Sequence, residues 1–263
     1  MRTRISVALN GIELHSIDEA IVLQGVDEGS PSWNINAGNR ANTIGQYVNS
    51  VEKKYRDVTV TFAIAEQRDL IRRHEILQQI FAWADKGGDL TVSYRDGQKL
   101  RVICTAMPAV KTLTKWAEIY SITFRAYEIP FWQSTDKTSV TIAATSSGNT
   151  TMRLRETGGG LLCFEATNSS GSTVNTLAVA ANGRNFTFSG LGLANGEKLR
   201  GDYDDRGIQR IRIQATGGTW RSAMAARATI SNDDILLNPG ANTVYVSSGE
   251  AVSWQLYTYG RWL

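Results

Sequence analysis

The chain has 263 residues, 42% of them hydrophobic and 20% charged. That is the composition of an ordered globular protein, not of a disordered chain, and the length suits two compact units better than one. The net charge of +3 is spread as 16 basic against 15 acidic residues over 1–133 and 12 against 10 over 134–263, so neither half has the basic excess of a nucleic-acid binder.

No continuous apolar run marks a signal peptide or a bilayer-spanning helix, so synthesis in the cytoplasm without membrane insertion is expected. Cys104 and Cys163 lie in different halves, both in strand-like runs, and read as two buried free thiols.

In chain order, Ile5, Val7 and Leu9 alternate before Asn10-Gly11, which predicts short strands about a tight turn, with Ile21 and Leu23 in a further strand. Residues 25–50 are rich in Gly, Asn and Ser and contain Pro31. They read as a long loop or extended arm of the kind that contacts another subunit. Over 56–65, Val58, Val60, Phe62 and Ile64 fall on one face of a strand.

A helix is predicted over 66–86, with an apolar stripe of Leu70, His74, Leu77, Phe81 and Ala84 widened by Ile80, and Gly87-Gly88 as its stop. His74 lies on that stripe and reads as a packed core histidine. Ile76 and Trp83, one heptad apart, fall to one side of the stripe and are candidates for contact with a second sheet or a neighbouring subunit.

Asp96-Gly97 predicts a two-residue hairpin turn, with a bulge that aligns Val92 and Tyr94 with Leu100 and Val102. A last strand of this half, 119–129, carries Ile122, Phe124 and Ala126 on one face and ends at Pro130.

The Ser- and Thr-rich stretch 134–150 reads as a linker running into a weak strand at 140–143. Beyond it, turns at 158–160, 182–183, 195–196, 205–207, 217–218 and 239–240 separate short strand-like runs with no helical period. This pattern predicts a β-sandwich or jelly roll.

The chemistry of catalysis is sparse. His15 and His74 are the chain's two histidines, and neither lies in a nucleophile or zinc motif. The segment 202–207 lacks the oxygen ligands of a calcium loop, since Arg206 stands where one belongs and Ile213 replaces the terminal Glu, so it reads as a solvated turn. Gly190 to Gly196 misses the dinucleotide spacing. No enzyme activity, metal or cofactor is therefore expected. Tyr203, Trp220, Trp254, Tyr257, Tyr259 and Trp262 could stack on sugar rings, and Tyr257 with Tyr259, on one face of the last strand, form the preferred pair.

The order of strand, helix, Asp-Gly hairpin and a strand leaving through Phe124, Pro130, Phe131 and Trp132 resembles the amino-terminal domain of distal tail proteins of long-tailed, non-contractile bacteriophages. The tail of the chain, with Asn238-Pro239-Gly240-Ala241-Asn242 after three apolar residues and a close on Gly260-Arg261-Trp262, is similar to that family as well.

The resemblance implies a mainly β fold with one helix. A split-barrel-like α+β ring domain (1–133) would precede a peripheral β-sandwich of jelly-roll or galectin-like type (134–263). It implies a structural, non-enzymatic virion protein at the tail tip: a hexameric ring joining the tail tube protein to the tail hub or baseplate. The alternative reading is a carbohydrate-binding module whose sandwich binds host surface glycans.

Overall fold

The computed structural model describes residues 5–39, 46–65, 69–108, 118–204, 206–228 and 231–263. The chain divides into two compact units at Trp132/Gln133. It is predominantly antiparallel β, with one α-helix among the described residues.

In the first unit, β1 (Val7–Leu9) and β2 (Ile12–Glu13) form a hairpin in register Leu9↔Ile12. Asn10 (φ 52°) and Gly11 (φ 79°) both take positive φ, as a tight two-residue turn requires. Then come β3 (Ile21–Glu28), β4 (Trp33–Asn39), β5 (Gln46–Lys53), β6 (Arg56–Ile64), α1 (Leu70–Asp85), β7 (Gly88–Val92), β8 (Gln98–Ala106) and β9 (Glu118–Ala126).

Among the described residues pairing runs β2–β1–β7–β8–β9–β6–β3, with β2 and β3 at the two ends of the run. Strand β8 turns the corner, pairing through Leu100–Val102 with β7 and through Ile103–Ala106 with β9, with a register shift at Cys104/Ala106. Strand β6 alternates as read from the sequence: Val58, Val60, Phe62 and Ile64 are buried. Opposite Val58 and Val60 lie Phe124 and Ile122 of β9, also buried, so one apolar face spans both strands.

Helix α1 covers that face, and here the predicted stripe is corrected. The buried residues are Arg73, Ile76, Leu77, Ile80, Trp83 and Ala84, whereas Leu70 and His74 are exposed. The helix is rotated toward the side carrying its largest apolar groups, since burying Trp83, Ile76 and Ile80 removes far more apolar surface from water than burying Leu70 and a histidine would. The Asp69 side chain caps the first turn by accepting from the Ile71 and Arg72 amides at 2.8 and 3.4 Å.

The hairpin turn is also longer than predicted. Leu90 pairs with Leu100, residues 93–97 form the loop, and Val92 pairs instead with Val7 of β1. Two successive reverse turns close the loop, with the Arg95 amide on the Val92 carbonyl and the Gln98 amide on the Arg95 carbonyl.

The second unit begins in β10 (Trp132–Leu154), followed by β11 (Gly160–Leu161), β12 (Cys163–Asn168), β13 (Leu177–Ala181), β14 (Arg184–Phe188), β15 (Lys198–Tyr203), β16 (Gln209–Gln214), β17 (Trp220–Ser222), β18 (Leu236–Leu237) and β19 (Gly240–Trp262). The linker expected at 134–150 is instead part of a 23-residue strand paired with β19, and Val140 and Ile142 pack on the core. Low hydrophobicity misled the reading there. The run is rich in Thr, which suits a pleated strand, and the backbone pairs whatever the side chains are.

Strand β19 serves two sheets. Val244–Ser248 pair with β13, which pairs with β14, and Val252–Tyr257 pair with β12, which continues through β15, β16 and β17. The inner faces share one core, in which Phe164 touches Phe186, Phe188 and Trp254 at ring-centre distances of 5.8–6.2 Å. Gly201 of β15 stands opposite Phe164, where any Cβ would collide with the phenyl ring. The sequence thus leaves one side chain out so that another can lie flat.

Candidate assembly surface

Strands β4 and β5 form a two-stranded sheet of their own, in register Trp33↔Lys53, Asn34↔Glu52 and Ile35↔Val51 with a bulge at Asn36/Ala37. The expected loop or arm over 25–50 is therefore partly strand β3, its residues Gly25–Glu28 paired with β6, and otherwise a β-ribbon. Residues 40–45 of that expectation lie outside the described residues.

Alternation places Trp33 and Ile35 on one face of the ribbon, and they are 58% and 59% exposed; Val48 on the return strand is 57% exposed. An isolated two-stranded ribbon is marginal in water, and large apolar side chains displayed on it are surface that a partner would bury.

The base of the ribbon is fixed. The Lys53 ammonium lies 4.9 Å from the Trp33 ring centre and 4.8 Å from that of Phe131, so two aromatic rings hold one cation. Burial, with the charge of Arg56, moves the Lys53 pKa down.

Beside it, Glu28 at the end of β3 accepts from the Tyr94 hydroxyl (2.7 Å), Arg95 Nε (2.8 Å) and Trp132 Nε1 (2.8 Å), and Arg95 also lies over the Trp132 ring at 4.9 Å. Burial pushes the Glu28 carboxyl up, but hydrogen bonds from Arg95 and Tyr94, the Arg95 charge and the Trp132 bond together hold it below its ordinary value. Arg56, only 3% exposed, adds a buried guanidinium beside the half-buried one of Arg95, and burial lowers its pKa.

On the opposite face of β6 and β9, Arg125 donates to both oxygens of Asp57 and stacks on Tyr55 with its guanidinium 4.0 Å from the ring centre. The Asp57 bond raises the Arg125 pKa.

The residues singled out for the subunit interface sit elsewhere. Ile76 is fully buried and Trp83 is 5% exposed within the first unit. Trp83 Nε1 donates to the Ile12 carbonyl at 3.0 Å, and its ring meets Phe124 edge-on at 5.9 Å. A side chain enclosed by its own unit offers a neighbour no surface, so both belong to the core.

Tyr257 is buried under Lys137, whose ammonium is 5.2 Å from the ring centre, while Tyr259 is 45% exposed. Their rings stand edge-on at 88°, which gives no flat platform. His15 pairs with Glu13 at 2.9 Å and His74 reaches Gln78 at 3.5 Å, both at the surface. Cys104 is half-buried, not buried as expected, and burial pushes the enclosed Cys163 thiol up to about 12. The 202–207 turn is held by Asp204, which accepts from the Arg206 and Ile208 amides at 2.9 Å. Among the described residues no cluster of three or more His, Cys, Asp or Glu could hold a metal, and no helix is long and apolar enough to cross a membrane.

The structure of the Dit protein (gp 19.1) of phage SPP1, described as a paradigm of the hub adsorption apparatus in phages infecting Gram-positive bacteria, superposes over 99% of this chain and 100% of its own, with a TM-score of 0.73 at 12% identity. The chain has the fold of a phage Dit protein. Chains from two structures of the phage P2 baseplate in its activated conformation, with calcium and with strontium, align over 97% of each chain at 6% and 7% identity, with TM-scores of 0.49 and 0.45. No protein-family model and no curated protein matches the sequence. The mainly β Dit fold with a single described α-helix is the one expected from the motifs at Phe124–Trp132 and Asn238–Asn242.

The sequence reading missed the ribbon's exposed face and the Glu28 cluster. The alternation of Trp33, Ile35 and Ala37 was a usable signal for the first. Glu28, Arg95 and Trp132 are 67 and 37 residues apart, and no local pattern links them.

Proposed function

We propose that this chain is a structural, non-enzymatic component of a phage tail tip, in which copies of residues 1–133 close into a ring, of six subunits, between the tail tube and the hub or baseplate proteins. Residues 134–263 form a peripheral domain outside that ring. The observation that carries the reading is the Dit fold shared over the whole of both chains.

The ribbon gives it a mechanism. Trp33, Ile35 and Val48 of one copy would be buried by the next in a heterologous contact, which closes into a ring when the rotation per subunit divides a full turn.

Native mass spectrometry and electron microscopy of the purified chain test this. Closed rings are expected at micromolar concentration or on addition of a tube or hub protein. Ile35→Asp, which puts a charge on the ribbon's apolar face, should reduce the ring population by about tenfold or more while leaving the thermal unfolding of the subunit unchanged. A chain that stays monomeric with those partners present, or an Ile35→Asp variant that assembles normally, would refute the reading.

A further inference from the structure

The sheet β19–β12–β15–β16–β17 of the second unit has an inner face in the core and an outer face built very differently. Register and alternation put Glu165, Arg200, Arg212 and Ser222 in one row across four strands of that outer face, and Lys198, Gln214 and Trp220 in the next. Trp220 is the unusual member. It sits on a three-residue edge strand, only half-buried, and its ring lies over charged side chains instead of entering the core as Trp254 does. The Arg200 guanidinium is 4.4 Å and the Arg212 guanidinium 5.6 Å from the ring centre.

Those guanidiniums are themselves held. Glu165 accepts from Lys198 Nζ at 2.9 Å and from Arg200 Nε at 3.0 Å, and Arg212 donates to Asp202. An indole fixed by two oriented guanidiniums is a preorganised surface and has little freedom left to lose on binding.

We infer that this outer face, centred on Trp220 with Arg200, Arg212, Glu165 and Asp202, is a contact site for a neutral saccharide. The charge pattern selects the ligand class. Each cation of the group already faces a carboxylate, Lys198 and Arg200 sharing Glu165 and Arg212 holding Asp202, so three cations meet two carboxylates and a single net positive charge is a weak lure for a phosphate or an acidic chain. What it offers is a flat aromatic ring surrounded by alternating donors and acceptors. Arg200 engages Glu165 through Nε and Nη2 and keeps its Nη1 hydrogens, and carboxylate oxygens can accept further bonds. A pyranose matches this, with an apolar C–H face to stack and hydroxyls that both donate and accept. A protein partner would call for an apolar centre, which a row of Glu, Arg and Ser does not provide.

The inference does not depend on the ring proposed above, because it concerns a face of the second unit alone. Saturation-transfer NMR on the full chain tests it, with glucose, galactose, N-acetylglucosamine and their common disaccharides as probes and inorganic phosphate as the anionic comparison. At least one sugar is expected to bind, with affinity about tenfold or more weaker in Trp220→Ala and retained within about threefold in Trp220→Phe. Arg200→Lys, which keeps the charge but loses the planar fork, should also weaken binding. Tyr259→Ala should not, and all four variants should unfold at the parent temperature. Absence of binding by every sugar, binding that survives Trp220→Ala, or binding of phosphate in place of sugar would each overturn the assignment.

Discussion

Trp83→Ala separates folding from assembly. The indole is 5% exposed, meets Phe124 edge-on and donates to the Ile12 carbonyl, so truncation removes a large buried ring, an aromatic contact and a hydrogen bond at once. Truncation of a buried Trp to Ala costs about 3–5 kcal/mol. A unit of about 130 residues unfolds with an entropy of about 0.28 kcal/mol/K, so the midpoint should fall by about 11–18 °C. Trp83→Phe keeps a ring against Phe124 and loses the bond to Ile12. Its cost should be about 1 kcal/mol, or roughly 4 °C. Differential scanning calorimetry reads both shifts, and native mass spectrometry on samples held well below the lowered midpoint reads assembly. Trp83→Ala is expected to unfold early yet assemble in the cold. A variant with the parent's midpoint and no rings would refute the core placement and return Trp83 to the interface.

Two further outcomes are expected. Because the folded-state pKa of Glu28 is lowered, its ionised form stabilises the first unit fully above the ordinary value of 4.5, and that contribution is lost as pH falls through the folded-state value; calorimetry across that acid range should show the midpoint difference between the parent and Glu28→Gln shrinking as pH falls, and a constant difference would refute it. Gly201→Ala forces a methyl group into the Phe164 ring, which the surrounding aromatics hold in place, so it should destabilise the second unit by about 1–3 kcal/mol; calorimetry should show one transition moving and the other fixed, and a shift of both would mean that the two units unfold as one.

The parts of the fold legible in the sequence are those where neighbours along the chain determine the outcome. Asn10-Gly11 and Asn182-Gly183 predicted tight turns, and both pairs have the positive φ values such turns need. The alternation of Val58, Val60, Phe62 and Ile64 predicted a strand and its buried face. The helix was legible as an element but not in its orientation, because two overlapping stripes compete along 70–85 and the choice between them rests on the shape of the sheet beneath. Residues 134–150 failed for a related reason. Their pairing partner, β19, begins about a hundred residues later, and Ser- and Thr-rich composition cannot distinguish a chain in water from a strand with a distant neighbour.

The surfaces were harder to read than the core, and the cause is physical. A core position is defined by the absence of polar groups, which a sequence displays directly. A functional surface is defined by which side chains meet, and register decides that. Trp220 was visible as one of six aromatics, but its difference from Trp254 depends on strand parity: Trp254 faces inward beside Phe164, whereas Trp220 lies over Arg200. Shifting β17 by one residue against β16 would reverse its face and bury the ring. Trp33 is a similar case. Its exposure follows from the pairing of β4 with β5 alone, since a third strand laid along either edge would bring neighbours to cover its face. Trp33 and Trp220 thus stand where the described strands stop, the first exposed on a free ribbon and the second half-buried at the edge of a sheet, and such positions keep large side chains available to another molecule.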